Sequence, residues 1–300
     1  MNRKGLIRSG AIFSSIMLAT TVAVTAGATT HAHATPVATK NAAAAALVPS
    51  SYKGKTLIAA TDASYPPDEF ISTDGSTIVG FDIDLIKAIG TTLGVPVQSQ
   101  NISFDTILGG IQSGQYDIGN SSFTDTKARE ASVNFVDYFT AGEAFYVKSS
   151  SKTSFTTLAS LCGYKVSVES GTTEESDAQT QAAKCPSNKH LTVDSYGDQN
   201  AANTAILSGQ DNVGFADSQV AGYIVAQSNK QFKLSGAPFA IAPYGITTAK
   251  TTAGLGFAKA IQAAVKVLIG NGVYKAILTK WGVAAGSLTA AKVTLNGAKS

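Results

Sequence analysis

Apolar residues along the chain alternate between short unbroken runs and stretches spaced three and four apart. Residues 55–60 contain the run Leu57-Ile58-Ala59-Ala60, which has strand length and reads as a buried strand. It opens into a Pro-containing loop, Asp62-Ala63-Ser64-Tyr65-Pro66-Pro67. Over 81–93 the spacing is helical: Phe81, Leu85, Ala88 and Ile89 share one face, Asp82 occupies the start, and Gly94 stands where a helix stops. Residues 95–100 predict a short strand and 104–111 a second helix, with Gly114 near its C-cap. The alternation continues down the chain. It is the mark of parallel α/β units, whose ligands bind just beyond the carboxyl ends of the strands.

Two stretches look alike. Residues 111–122 and 206–218 each read as helix end, Ser-Gly-Gln turn, short strand and polar finish. One copy finishes on Ser121-Ser122 and leads on to Arg129; the other finishes on Asp217. Two α/β lobes of related design, each aiming polar groups at one ligand, is the simplest reading. Ser-Gly turns are common enough that chance similarity is the competing one.

The N-terminal residues break this pattern. Arg3, Lys4 and Arg8 precede an uncharged stretch over 9–30, and Ala32-His33-Ala34 is a small-x-small site. Residues 1–34 are therefore expected to be an export signal cleaved after Ala34. An uncleaved anchor is the alternative, but the Thr, Ala and Gly of the stretch's second half argue against it. Residues 35–51, rich in Ala, Thr and Pro, are expected to be a flexible tether. The chain carries 23 Lys+Arg against 20 Asp+Glu; without the three signal cations the balance is 20 against 20. A neutral protein gives no support to a nucleic-acid partner. Export also bears on Cys162 and Cys185, the only two cysteines. A disulfide between them is expected, with two buried thiols as the alternative. A metal site is disfavoured, because beyond the signal His190 is the sole histidine and there is no CxxC.

The remaining polar residues suit a zwitterion. Burying an α-amino acid requires partners for its carboxylate and for its ammonium. Arg129, whose planar fork can donate two parallel hydrogen bonds, suits the first and Asp217 the second. The segment Gly171-Thr172-Thr173-Glu174-Glu175 follows a strand and opens a helix, so its N–H groups also suit an anion, although it would serve equally as a structural capping box.

With these segments in place, the chain resembles the polar amino-acid family of periplasmic solute-binding proteins of ABC importers (bacterial extracellular solute-binding protein family 3). The resemblance covers about residues 57–281. It rests on the order of Thr61-Asp62-Ala63-Ser64-Tyr65-Pro66-Pro67, Gly80-Phe81-Asp82-Ile83-Asp84-Leu85, Ser103-Phe104-Asp105, Gln112-Ser113-Gly114-Gln115-Tyr116-Asp117, Thr124-Asp125-Thr126-Lys127-Ala128-Arg129, Gly171-Thr172-Thr173-Glu174 and Ala216-Asp217. It implies a type II two-lobed α/β fold with two hinge strands. In that pattern Arg129 grips the ligand carboxylate, helped by Ser122, Thr124 and Thr173. Asp217 binds the ammonium, Tyr65 and Phe104 sandwich the side chain, and Asp62 faces its polar end. Asp68 stands where the family usually has an apolar residue. Either the loop is shifted, or an extra acid lies at the pocket mouth and favours a cationic or amide side chain.

The expected lobes are residues 52–143 with 246–290, and 147–242, with crossovers at 144–147 and 241–244 and a tail over 291–300. The expected function is extracytoplasmic capture of a polar L-amino acid for an ABC permease, by a monomer without cofactor and without catalysis. An exported dehydratase-like enzyme using Glu169, Glu174 or Glu175, and an amino-acid sensor, are the alternatives. Serine hydrolysis is disfavoured, since no Gly-x-Ser-x-Gly elbow accompanies the lone histidine.

Overall fold

The computed structural model describes residues 36–298. The expected signal over 1–34 lies outside them. In chain order the elements are α1 (Ala42–Ala46), β1 (Leu57–Thr61), β2 (Ser64–Tyr65), β3 (Glu69–Ile71), β4 (Ile78–Val79), α2 (Phe81–Leu93), β5 (Val97–Asn101), α3 (Phe104–Ser113), β6 (Ile118–Gly119), α4 (Lys127–Glu130) and β7 (Val133–Lys148). They continue with β8 (Lys165–Glu169), α5 (Thr173–Ala182), β9 (Thr192–Tyr196), α6 (Gln199–Ser208), β10 (Val213–Asp217), α7 (Ser218–Gln227), β11 (Phe232–Ala249), α8 (Thr252–Gly270) and α9 (Val273–Lys280).

Eight strands run in the order β5-β1-β6-β11-β7-β10-β8-β9, and β2-β3-β4 form a small separate sheet. At one end β1 pairs in parallel with β5 and β6; at the other, β8 pairs in parallel with β9 and β10. The long antiparallel pair β7 and β11 joins the two halves. The cores follow the same division. Leu57, Phe81, Ile86, Tyr138, Phe257, Ile261 and Val265 pack together in the first lobe. Phe145, Phe155, Val166, Val168, Val213 and Phe215 pack together in the second. Removing each such side chain from water contributes about 1.5–3 kcal/mol. Helix α8 is apolar enough over its 19 residues to cross a membrane, but it lines the first core with Ala258, Ile261, Ala264, Val265 and Leu268 buried.

The two similar stretches take the same shape. Helices α3 and α6 end on Gly114 (φ 76°) and Gly209 (φ 85°), and β6 and β10 follow. The left-handed cap favours glycine because a side chain there is strained.

Three expectations change. The stretch read as a tether is folded from Asn41 on: Asn41 caps α1 through its side chain (3.0 Å), its N–H donates to Thr92 O (2.9 Å), and Ala44, Val48 and Tyr52 are buried in the first core. Residues 144–147, read as a crossover, lie inside β7 and ladder with β10 as Ala144↔Ala216, Phe145↔Phe215 and Tyr146↔Gly214. In β11 the pairing with β7 shifts register between Ser235 and Ala242. The tail is docked, with Val293 buried and Leu295 bridged to Val136.

Cys162 and Cys185 are joined, closing the second lobe's first helical turn onto the end of α5. Replacing both by Ala is expected to lower the stability of that lobe by about 3 kcal/mol through lost loop constraint. Urea unfolding followed by a probe in the second lobe measures this, and a midpoint equal to wild type contradicts it.

Candidate functional site

Four parallel strands end at one cleft between the lobes. Asp62 follows β1, Ser121, Ser122 and Thr124 follow β6, Glu169 ends β8 and Asp217 ends β10. Tyr65 on β2, Phe104 opening α3, Arg129 on α4, and Thr172, Thr173 and Glu174 at the start of α5 complete the lining. All eight residues singled out in the sequence reach this lining.

The lobes touch across it. Arg129 donates from Nη1 to Thr124 O (2.8 Å) and from Nη2 to Gly171 O (2.8 Å), the second bond crossing between lobes. The guanidinium also lies 5.7 Å from the Phe104 ring and 5.5 Å from Phe123, which stack on each other at 4.5 Å. Thr124 and Thr173 bring their hydroxyls within 3.3 Å. Tyr65 Oη donates to Asp217 Oδ2 (2.9 Å) and accepts from Asp217 N (3.1 Å), and the ring packs among Ala144, Tyr146, Ile206 and Val220 of the second lobe. Gln219 Nε2 donates to Asp68 Oδ2 (2.8 Å) from the other side.

The charge balance is lopsided. Asp62, Glu169, Glu174 and Asp217 are all buried, and among the described residues Arg129 is the one cation lining the cleft. Burial raises every one of these carboxyls. For Glu169 and Glu174 the neighbouring carboxylates add to it, and Asp217 reaches about 8. Burial lowers Arg129, while Glu174, Asp217 and Asp125 push it back up. Asp62 is fixed by the N–H groups of Ser64 (3.1 Å) and Phe104 (3.1 Å). Glu169 Oε1 and Glu174 Oε1 have no hydrogen-bond partner among the described residues. Buried acceptors of this kind call for a donor.

Glu169, Glu174, Ser121 and Thr172 had no expected ligand contact. Glu169 and Glu174 entered only as acids for catalysis, and Glu174 also looked like a first-turn helix acid. The third of that group, Glu175, faces away: its carboxylate receives Gly171 N (2.7 Å) and Ser195 Oγ (2.5 Å), and its N–H donates to the N-cap Thr172 Oγ1 (3.2 Å). The Thr-Thr-Glu-Glu start is therefore structural at Glu175, faces the cleft at Thr173 and Glu174, and at Thr172 both caps the helix and lines the cleft.

Asp68 is neither at the pocket mouth nor exposed. Asp68, Glu69 and Asp82, each 0 % exposed, form a buried group behind Ser121 and Ser122. Ser122 Oγ donates to Asp68 (3.0 Å) and Glu69 (3.3 Å), and Ser122 N to Asp82 (3.2 Å). Both donors expected to serve a ligand are thus engaged behind the cleft. Tyr138 Oη donates to Asp82 (2.6 Å). Burial and mutual repulsion hold Asp68 and Glu69 well above the usual carboxylate range.

Residues 57–284 match the model for bacterial extracellular solute-binding proteins, family 3. The chain is 29% identical over 252 residues to the arginine-binding protein ArgT of Corynebacterium glutamicum, covering 83% of this chain and 81% of that one. It is 34% identical over 209 residues to the ABC transporter glutamine-binding protein GlnH of Bacillus subtilis, covering 68% and 72%. Among solved structures, an ancestral arginine-binding protein bound to arginine is similar at a TM-score of 0.69 and 34% identity, covering 75% of this chain and 97% of that one.

Asp217 at about 8 and Glu143 at about 9 bind their protons more tightly folded than unfolded. Their stabilising contribution is complete below about pH 4 and is lost as pH rises through those values. The melting temperature of the ligand-free protein is expected to fall between pH 5 and 9, and less steeply in Asp217→Asn. A flat profile over that range contradicts the assignment.

Proposed function

This chain belongs to the bacterial extracellular solute-binding proteins, family 3, and we propose that it captures a polar L-amino acid with a cationic side chain, arginine foremost, for an ABC importer. The observation that carries this is the single guanidinium of Arg129 facing four buried carboxylates across two lobes. One anionic group of the ligand meets Arg129 and Thr173; its ammonium meets Asp217; Asp62, Glu169 and Glu174 remain for a second cation. A neutral side chain would give those acids no counter-charge, so they would keep their protons and forgo the charge-assisted bonds that a cationic side chain supplies. Relatives named as arginine-binding support the reading, and one named as glutamine-binding keeps the amide as its competitor.

The lobes, 41–143 with 246–298 and 144–242, close on the ligand about β7 and β11, because each half contributes contacts only in the closed state. The buried acids Glu169 and Glu174 would equally serve an acid catalyst. The pairing of Arg129 with Asp217 fits a zwitterion better, and we assign binding without turnover, by a monomer that hands its ligand to a permease. Extracytoplasmic placement is common to the family; cleavage of residues 1–34 belongs to this proposal.

Arg129→Ala is expected to weaken arginine binding on the order of a hundredfold while leaving the circular dichroism unchanged. Calorimetry against a panel of amino acids tests both ligand class and role; unchanged affinity in the variant sinks the assignment. Because a bound cation favours ionised acids, arginine affinity is also expected to rise from pH 5 to 8, with protons released on binding. Heats independent of buffer ionisation enthalpy would argue against that linkage.

A further inference from the structure

The residues after the family match, which ends at 284, run back across the first lobe to the segment carrying Arg129. After two short helical turns (Ala284–Gly286 and Ala290–Lys292) the chain extends beside β7. Gln262 Nε2 donates to Val293 O (2.9 Å), Asp137 N to Thr294 O (3.0 Å), Asn296 N to Phe135 O (3.1 Å) and Phe135 N to Asn296 Oδ1 (2.8 Å). The Thr294 hydroxyl donates to Asp137. The next two amides end on carboxylates: Gly297 N donates to Asp125 Oδ2 (2.9 Å) and Ala298 N to Glu130 Oε1 (2.9 Å).

Those two acids directly follow the cleft residues Thr124 and Arg129 in Thr124-Asp125-Thr126-Lys127-Ala128-Arg129-Glu130, and both are buried. The same loop is tied by Asp125 N to Pro243 O (2.9 Å) and by Lys127 to Glu130 (2.9 Å). Arg129 takes its own position from a carbonyl of this loop, Thr124 O. A loop pinned on its outer side by the tail therefore presents Thr124 and Arg129 on its inner side.

We propose that residues 294–298 are a positioning strap, in which Asn296 anchors the segment to Phe135 while Gly297 and Ala298 fix Asp125 and Glu130, so that the Arg129 guanidinium stands where an amino-acid carboxylate meets it. The proposal rests on the reading of the cleft as an amino-acid site and adds residues, remote from the ligand, that set its affinity. Gly297 is the most sensitive point: a Cβ there would overlap the Asp137 carboxylate and the Thr294 hydroxyl. Gly297→Ala lifts the end of the strap and changes no cleft residue.

Two readouts in the otherwise intact chain test it. Without ligand, amides over 124–130 are expected to exchange with solvent about tenfold faster in Gly297→Ala, while exchange in the second lobe is unchanged. With ligand, L-arginine is compared with L-argininamide, which keeps both cations and replaces the carboxylate by a neutral amide. The variant is expected to lose on the order of tenfold in arginine affinity and much less for argininamide, since Arg129 serves only the carboxylate. Unchanged exchange over 124–130, or equal losses for the two ligands, overturns the strap. A wild-type protein that binds neither overturns the cleft reading instead, and exchange alone then decides the strap.

Discussion

Four carboxylates and one guanidinium share the space between the lobes, and concentrating so much like charge away from water is the constraint to which the rest of the architecture answers. Burial penalises each charge, and neighbouring acids penalise it again, so carboxyls here retain protons that they would lose in solvent. The guanidinium cannot escape in that way, because it does not deprotonate. Its charge is held by two carbonyls and by the faces of two aromatic rings. Asp62 and Asp217 are likewise given donors by the chain itself. Of the four cleft acids, Glu169 and Glu174 are the two that keep a buried oxygen without a donor among the described residues.

Delivering these groups to one place is the work of the topology. Parallel strands from both lobes point their carboxyl ends at a common cleft, and the two helix-turn-strand units bring Ser121-Ser122 and Asp217 to it from opposite sides. Behind the first lobe's contribution lies a second group of acids, Asp68, Glu69 and Asp82, linked to the other lobe through Gln219. The polar chemistry of the protein is thus continuous from the cleft wall to its backing.

Much of this could be read from the sequence, for identifiable reasons. Helix α2 was expected over 81–93 and occupies Phe81–Leu93, because a periodic apolar face and a glycine stop agree on its limits. The eight residues singled out by motif order all line the cleft, because the order of motifs survives when no single motif is decisive. Helix α1 was missed because a run of five alanines has no apolar stripe; its burial is a tertiary matter. The lobe crossover was misplaced because β7 is apolar and buried on both sides of it, and hydropathy does not mark where a strand changes neighbours. Glu174 resembled a capping acid because first-turn acids are common, and one sequence does not say which of two adjacent glutamates turns inward. Asp68 defeated the reading for the opposite reason: an acid in a loop is normally exposed, and here a buried serine and a glutamine donate to it.

The order of segments in the first lobe has a meaning in time. Its core joins residues near 44 to others near 265 and 293, whereas the second lobe is drawn from one intervening stretch. A chain that emerges from its N-terminal end, from a ribosome or through a membrane pore, can assemble the second lobe while the first still lacks α8, and with it much of its apolar wall. The partly emerged protein is therefore a finished half attached to an open one. The strap follows the elements of both lobes in the chain, so it ties down the loop bearing Arg129 only after both have emerged, and a molecule caught before that point holds no completed grip on a ligand.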